Sequence, residues 1–510
     1  MIPLEWMPPL MFGGLIVFML IGFPVAFSLM AAGLFFSAIA ISEGFFGIPF
    51  LQAIPQRIFG SVLANDLLLA IPFFTFMGAI LERCGLAEEM LDSMGQLFGR
   101  IRGGLGYSVI IVGFILGAIT GTVAAQVIAM AMISLPVMMR YGYNMRYATG
   151  VLAASGTITQ LVPPSLVLIV LADQLKTQSG SADVGSMYLG AWGPSLLQIG
   201  LFALYTFFLS RFRPDYLPPV PESDLTLKGW ALWKKCLMGI IPSAVLIFLV
   251  LGTIMTGIAT PTESGAMGAM GALLLAWLRR ASIPNLRGLV QEAYQNTMRI
   301  TAMVVFILIG STCFSVVFQG VDGGFWVEKL FSNLPGGWIG FLIVVNIFVF
   351  FLAFFLDFFE IAFIVVPMLA PVAVKLLSPV LLDSMNGNPQ AAASAALVWF
   401  GVMLCVNMQT SFMHPPFGFA LFYLRGVAPK EVKSSDIYWG ALPWVGLQLI
   451  MVVVVMAFPA LVTTLLDKPA VVAQSKEFNF TNGDENKPEP ITSAKDEDAP
   501  VIFQLDKPTK

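Results

Sequence analysis

Long stretches without a charged residue limit what this chain can fold into more than any other feature. Nine of them are 6–42, 67–81, 103–139, 147–172, 184–210, 236–262, 300–321, 330–356 and 437–466. A helix that crosses a bilayer needs about 20 apolar residues, so these stretches supply roughly eight or more crossings. The composition agrees, because only 11% of the residues are charged, against about 25% in soluble domains. The sequence predicts an all-α polytopic membrane protein.

The reactive residue types are few and scattered. The first apolar stretch is too long for a cleavable signal peptide and has no basic segment before it, so we interpret it as a membrane helix. One histidine, His414, argues against a His-rich metal site, and no basic cluster suggests nucleic acid. We expect no organic cofactor. The cysteines are isolated in or beside apolar stretches and are predicted to be small buried residues; they are Cys84, Cys236, Cys313 and Cys405.

The charged residues divide the chain. Segment 211–235 carries five Lys or Arg residues and several prolines, which indicates a cytoplasmic connection between two halves. We place the linker at 221–235, a first membrane repeat at 1–220 and a second at 236–466. Residues 467–510 are polar and rich in both signs of charge, so we predict a disordered tail.

The first half contains a run that is too long for one crossing. The 37 uncharged residues 103–139 would form a helix of about 55 Å, against a hydrocarbon core of roughly 30 Å. The chain must fold back, and "GAITGTVAAQ" at 117–126 interrupts the aliphatic sequence. A re-entrant hairpin and two ordinary helices with a surface turn both fit. The next run, 147–172, contains "ASGTITQLVPPS", whose prolines predict a broken helix facing protein or a cavity.

The second half repeats this order. A hairpin is predicted near 336–376 and a broken helix at 391–424, where Pro415-Pro416 answers Pro163-Pro164. We interpret the pair as a duplication, with the two repeats inverted. Interrupted segments at matching places in two halves are typical of transporter binding sites. A proline kink that serves only packing is the alternative for either break.

Chain breaks and carboxylates suggest ion binding. Exposed carbonyl oxygens suit Na⁺, and the N-termini of half-helices attract an anionic substrate. The hydroxyls near the breaks add uncharged ligands; they belong to Ser155, Thr157, Thr159, Thr410 and Ser411. Asp357 and Glu360 lie among phenylalanines, where an ionisable group faces a cavity or a partner. Hydration of both carboxylates in an interfacial loop remains an alternative.

These residues resemble the large membrane (M) subunit of the tripartite ATP-independent periplasmic (TRAP) transporters. The similarity is carried by the segment from "GAITGTVAAQ" through "YGYNMRYATGVLAASGTITQLVPPS", and by "GIATPTESGAMGA" at 257–269. It covers roughly residues 5–466. The resemblance implies an elevator-type ion-transporter fold, Na⁺ coupling and a location in the bacterial inner membrane. It also implies a separate small Q subunit, a periplasmic substrate-binding P protein, contact with membrane lipid and a small carboxylate substrate.

The resemblance also implies site residues. A first sodium site is placed at the first hairpin tip and break, and a second near the second tip and break. The full predicted sodium set is Gly117, Thr120, Thr122, Ser155, Thr157, Thr159, Val162, Pro164, Asp357, Thr410, Ser411, His414 and Phe417. The predicted substrate set is Thr122, Gln160, Asn407 and Gln409. Two departures from the family pattern are the Thr159-Gln160 pair and His414, which replaces the threonine of a Thr-Pro-Pro.

Three functions follow for testing. The first is a Na⁺-coupled, binding-protein-dependent importer of a small organic acid. The second is a stand-alone secondary carrier, such as a dicarboxylate carrier or a Na⁺/H⁺ antiporter. The third is an intramembrane aspartyl enzyme, which would need a second aspartate beside Asp357; Asp66 is the remote candidate. We do not predict an enzyme.

Overall fold

A computed structural model describes residues 3–468, apart from 226–228, 282, 284, 333, 416 and 417. Within these residues the chain is helical and has no β-strand, as predicted from the uncharged stretches. The predicted polar tail lies outside the described residues from 469 onward, and Phe417 of the predicted sodium set lies outside them as well.

Twenty α-helices make up the described chain. Those before the linker are α1 (Met7–Leu20), α2 (Val25–Ser42), α3 (Ala53–Arg57), α4 (Ala70–Arg83), α5 (Leu86–Phe98), α6 (Gly104–Thr120), α7 (Val123–Arg140), α8 (Met145–Thr157), α9 (Leu166–Gln174) and α10 (Val184–Phe212). Those after it are α11 (Trp230–Met255), α12 (Pro261–Leu278), α13 (Leu286–Gly320), α14 (Gly323–Ser332), α15 (Gly337–Leu352), α16 (Phe358–Leu381), α17 (Pro389–Met408), α18 (Phe419–Val427), α19 (Ser434–Ala457) and α20 (Ala460–Thr463). Short 3₁₀ segments are Leu4–Trp6, Ile48–Gln52, Asp66–Leu69, Ile158–Gln160, Pro214–Tyr216, Glu222–Asp224, Asp383–Met385 and Gln409–Phe412, and Ile58–Leu63 is a π-helical turn.

The membrane character of the chain is confirmed. In the described part, eight helices are long and apolar enough to cross a bilayer, and up to ten crossings result if two bent pairs each count as one. Large apolar side chains lie on the outside, such as Phe248, which is 80% exposed. So many exposed large apolar side chains are unusual in a soluble protein, whereas a bilayer solvates them. All four cysteines are free and buried.

The helices pack in two sets of contacts. In one set, α2 packs along α13, α4 along α12 and α13, and α11 along α12 and α5. In the other, α8 packs along α19, and α17 lies against α9, α10, α15 and α16. Helix α6 touches both sets, through α4 and α5 on one side and α7 and α8 on the other.

Two parts of the chain have their helices in the same order. Helices α6 and α7 are joined by Gly121 and Thr122, and the interrupted helix α8–α9 follows. Helices α15 and α16 are joined by residues 353–357, and the interrupted helix α17–α18 follows. Helix α9 and helix α18 each have nine residues, so each is about 14 Å long and cannot cross the bilayer alone. The inverted duplication stays a prediction.

Residues 216–225, between the two halves, lie across the open end of the α6–α7 hairpin, and we call them the strap. Val220 N–H donates to Gly99 O (2.8 Å), and Gly103 N–H donates to Leu217 O (3.2 Å). On the other side of the hairpin, Asn144 N–H donates to Tyr216 O (3.0 Å). The strap therefore holds both ends of the hairpin through backbone hydrogen bonds. The next helix, α11, begins at Trp230, inside the stretch assigned to the linker.

Candidate functional site

The first break lies in a buried part of the chain. Helix α8 ends at Thr157, Ile158–Gln160 continues as a 3₁₀ turn, and α9 begins at Leu166. We call residues 158–165 the first break. Every residue from 147 to 172 is buried. The carbonyl oxygens that the interruption frees have partners here, since Leu161 O accepts from Ser195 Oγ (3.2 Å) and Gln160 O accepts from Cys405 Sγ (3.2 Å). The break is thus held inside protein, as buried irregular backbone requires.

The tip of the α6–α7 hairpin packs on this break. A methyl group at Gly117 would lie 3.2 Å from Thr159 Cα, and one at Gly121 would lie 3.6 Å from Leu166 Cδ1. Gly121 ends α6 with φ of 64°, a left-handed conformation that glycine adopts without strain. Thr120 is the last residue of α6, and Thr122, half-buried, is the N-cap of α7. The structure therefore brings Gly117 of the tip against Thr159 of the first break, and Val162 and Pro164 are buried in the same break.

An amide of α7 fastens the hairpin to the broken helix. Gln126 Nε2 donates to Gly113 O of α6 (2.6 Å) and to Ser155 O of α8 (3.0 Å), and Thr159 Oγ1 donates to Gln126 Oε1. Ser155 Oγ is buried and has no hydrogen-bond partner among the described residues. The group contains hydroxyl and carbonyl oxygens and no formal charge, which is a donor set suited to a weakly held Na⁺.

Thr157 belongs to a different surface of the same helix. Its Oγ1 accepts from Gln448 Nε2 of α19 (3.0 Å) and lies 3.7 Å from Met413 Sδ. Residues two apart on a helix face away from each other, so Thr157 points away from Ser155 and Thr159. The structure does not join it to the other hydroxyls at the first hairpin tip.

The second break follows α17. Gln409–Phe412 forms a 3₁₀ turn and α18 begins at Phe419; we call residues 409–418 the second break, of which 416 and 417 are not described. Thr410 Oγ1 donates to Asn407 O (2.7 Å) and Ser411 Oγ donates to Met408 O (2.7 Å). Each hydroxyl oxygen keeps lone pairs that can accept or coordinate. The His414 carbonyl oxygen accepts from Gly418 N–H (2.6 Å).

The tip of the α15–α16 hairpin packs on the second break. The His414 ring stacks on Phe354, with centroids 4.1 Å apart, and meets Phe350 edge to face at 4.5 Å. Phe358 lies 6.2 Å from Phe412, measured between ring centroids. His414 is buried by these rings. Both interrupted helices therefore have a hairpin tip against them.

The two carboxylates of this tip cap a helix. Asp357 is the N-cap of α16, where its side chain accepts from Phe358 N–H (2.6 Å), and Glu360 Oε2 accepts from Asp357 N–H (3.0 Å). Glu360 is buried and Asp357 is only partly buried. The physical reason is the capping box, which turns Glu360 back toward the helix end. The spacing in "DFFE" is the signal that would have revealed it.

The predicted substrate residues have different surroundings. Gln160 is buried, and neither its side-chain oxygen nor its nitrogen has a partner among the described residues. Asn407 Nδ2 donates to Asn346 O (2.8 Å) and Oδ1 (3.0 Å), and Gln409 Oε1 accepts from Gln198 Nε2 (2.6 Å). Asn407 Oδ1 is also buried without a partner among the described residues, so the Gln160 amide and this oxygen are left to bind something that those residues do not provide.

Sequence reasoning missed the residues that connect these parts. They are three glutamines and a methionine in or beside uncharged stretches, namely Gln126, Gln198, Gln448 and Met413. Amides at membrane depth are costly unless they are paired, and that is the signal that could have identified them.

Comparison with known proteins gives consistent matches. The family model "Tripartite ATP-independent periplasmic transporter, DctM component" matches residues 12–461. The C4-dicarboxylate TRAP transporter large permease protein of Rhodobacter capsulatus is 28% identical over 89% of this chain and 97% of its own. The isethionate TRAP transporter permease protein DctMQ of Oleidesulfovibrio alaskensis is 26% identical over 89% of this chain and 65% of its own. Among solved structures, the YdaH transporter of Alcanivorax borkumensis matches with a TM-score of 0.53 and 16% identity, over 81% of this chain and 89% of that one.

Proposed function

We propose a sodium-coupled import mechanism for this chain, which belongs to the DctM family of tripartite ATP-independent periplasmic (TRAP) transporters. It is a large permease subunit and a multi-pass protein of the bacterial inner membrane. Members of this family are transporters. We therefore propose no enzymatic role for Asp357 or Asp66.

One observation carries the proposal of ion coupling: each interrupted helix has a hairpin tip packed on its break. Gly117 meets Thr159 at the first, and Phe354 meets His414 at the second. Closing a tip over a break brings carbonyl and hydroxyl oxygens from two elements around one point. Na⁺ binding there would favour the closed arrangement, because the ion interacts with both elements only when they are together.

We assign the first ion to the first tip and break, and the second ion to the second. The proposed first set is Gly117, Thr120, Thr122, Ser155, Thr159, Val162 and Pro164. The proposed second set is Asp357, Thr410, Ser411, His414 and Phe417. Thr157 stays in the proposal as a residue between the two sets, since it contacts Met413 of the second break.

The proposed substrate is a small organic acid. The two relatives are described as transporters of a C4-dicarboxylate and of isethionate, both of which are organic anions. The Gln160 amide supports a binding place beside the first break, because its buried N–H groups can donate to a carboxylate. Thr122, Asn407 and Gln409 complete the proposed set.

The proposed partners are a small membrane Q subunit and a periplasmic substrate-binding protein. The isethionate relative is named DctMQ, and this chain matches 65% of its length, so the rest of that relative has room for a fused Q part. The proposed motion is an elevator movement. In it the hairpins and interrupted helices slide against the set formed by α2, α4, α12 and α13.

Uptake into proteoliposomes tests the proposal. The vesicles contain this chain and its Q partner, and the cognate binding protein is added with labelled substrate. We expect uptake to stop when external Na⁺ is replaced by K⁺ or choline at constant pH. Full uptake driven by a proton gradient alone would refute sodium coupling, and uptake without the binding protein would favour the stand-alone carrier.

A further inference from the structure

Helix α19 contacts both interrupted helices. A methyl group at Gly440 of α19 would lie 2.2 Å from Arg146 O of α8, and one at Gly150 of α8 would lie 2.3 Å from Gly440 O. The two backbones thus touch with no side chain between them, as small residues permit in membrane helices. Arg146 Nε also pairs with Asp436 Oδ1 (3.2 Å). Helix α19 is fixed on α8.

The other end of α19 is fixed on the second interrupted helix. Trp399 Nε1 of α17 donates to Val455 O of α19 (2.8 Å), and both residues are buried. The two anchor points on α19, Gly440 and Val455, are 15 positions apart, which corresponds to about 22 Å along a helix. The helix therefore spans from one interrupted helix to the other.

Gln448 lies between these anchors, and its one amide group contacts the end of α8 and the second break. Its Nε2 donates to Thr157 Oγ1 (3.0 Å), directly before the first break, and lies 3.7 Å from Met413 Sδ in the second. Thr157 Oγ1 is itself 3.7 Å from Met413 Sδ, so the three side chains form a closed triangle. All three are fully buried, and none carries a formal charge.

Packing alone does not require an amide at this position. Gln448 Oε1 is buried without a hydrogen-bond partner among the described residues, and leaving an acceptor in that state costs free energy. A methionine would fill nearly the same volume without that cost. We therefore attribute the amide at this position to the contacts that its N–H group makes with Thr157 and Met413.

We propose that Gln448 is a positioning residue that couples the two ion sites, so that Na⁺ at one break raises the affinity for Na⁺ at the other. This inference rests on the proposed function. Gln126 of the first hairpin holds Ser155 O of α8 (3.0 Å), and Thr157 lies two residues further along the same helix. Its hydroxyl accepts from the Gln448 amide, and that amide lies beside Met413, next to His414. Coupling of this kind changes affinities by about 5–150-fold in proteins.

The test is the Na⁺ dependence of initial uptake rates in the reconstituted system, with the substrate-loaded binding protein in excess. The wild type should give a sigmoidal curve. Gln448→Met should lower the Hill coefficient to about 1 and raise the half-saturating Na⁺ concentration by about fivefold or more. Thr157→Val removes the acceptor hydroxyl and should have the same effect, and the double variant should add nothing to either single one.

Gln198→Met is the matched control, because that amide hydrogen-bonds to Gln409 of the second break and, among the described residues, makes no hydrogen bond to the first. It should change the rate or the half-saturating concentration but keep the sigmoidal shape. Size-exclusion profiles check folding, and Thr157→Val carries the test if Gln448→Met does not fold. A sigmoidal curve in Gln448→Met, a hyperbolic curve in the wild type, or an equal loss in Gln198→Met would overturn the coupling role with sodium coupling intact. Sodium-independent uptake by the wild type would overturn both.

Discussion

Replacing Gly113 by alanine would separate the first hairpin from the interrupted helix on which it packs. The added methyl group would lie 2.7 Å from Ser155 Cβ and 2.9 Å from Ser155 O. Non-bonded carbon atoms prefer separations of about 3.5–4.0 Å, so α6 must move away from α8 by roughly 0.8 Å or more. The move also lengthens the bridge that Gln126 Nε2 makes between Gly113 O and Ser155 O.

The size of the effect follows from this strain. Overpacking a membrane or soluble core costs about 1–3 kcal/mol. The hairpin can release that strain by moving away from the break, so the strain raises the free energy of the closed, ion-bound state alone. Since each 1.4 kcal/mol is a factor of ten, the half-saturating Na⁺ concentration should rise by about 5- to 150-fold. Na⁺-dependent uptake measures it, and the rise in melting temperature on adding Na⁺ to detergent-solubilised protein checks it without transport.

Gly200→Ala is the matched control. It makes the same change inside helix α10, where an added methyl group would meet nothing within 4 Å. It should leave the Na⁺ dependence unchanged and stabilise the helix slightly. If Gly113→Ala folds and shows the wild-type Na⁺ dependence by both measurements, the first ion site does not lie between the hairpin and the break.

Three further predictions concern single side chains. Asp357→Asn keeps a good N-cap for α16 and removes only the charge. It should raise the half-saturating Na⁺ concentration for uptake by about tenfold or more, as expected for a lost charge-assisted contact. An unchanged half-saturating concentration would mean that Asp357 only caps the helix. Gln160→Leu should raise the substrate concentration for half-maximal uptake by about two- to tenfold with the Na⁺ curve unmoved; a moved Na⁺ curve would count against a substrate contact. Tyr141 Oη donates to Asp224 Oδ2 (2.9 Å) and lowers the pKa of that carboxyl below its usual 3.8. The stabilisation from this contact is complete above the usual pKa and is lost as the pH falls through the lowered one. Tyr141→Phe should therefore reduce the melting temperature at pH 7, and the difference from the wild type should disappear as the pH falls below about 4.

The class of fold could be predicted because it depends on composition over long windows. Runs such as 184–210 and 437–466 have no other stable place than a membrane, and they became α10 and α19. Interruptions were also visible, since Pro163-Pro164 and Pro415-Pro416 cannot continue a helix. These signals are local, and one sequence is enough to read them.

The partners of individual side chains could not be predicted in the same way. Thr157 and Thr159 look alike in sequence, yet one contacts Gln448, 291 positions away, and the other contacts Gln126, 33 positions away. Which face of α8 meets which helix depends on packing between elements far apart in the chain. The capping box of Asp357 and Glu360 is different, because its spacing is local and was available in the sequence.

The strap between the two halves has a consequence for building the protein from two pieces. Its last described contacts to the first hairpin come from Val220, Asp224 and Leu225, and the following helix begins at Trp230. A cut between Leu225 and Trp230 therefore keeps the strap in the same fragment as the first hairpin. A cut before Tyr216 puts the strap in the other fragment. Two fragments divided at the later point should reassemble when they are co-expressed, and fragments divided at the earlier point should not. The connection would then be a structural part of the first fragment rather than a spacer, and a fluorescent tag or affinity tag placed after Leu225 would mark the first fragment without loosening it.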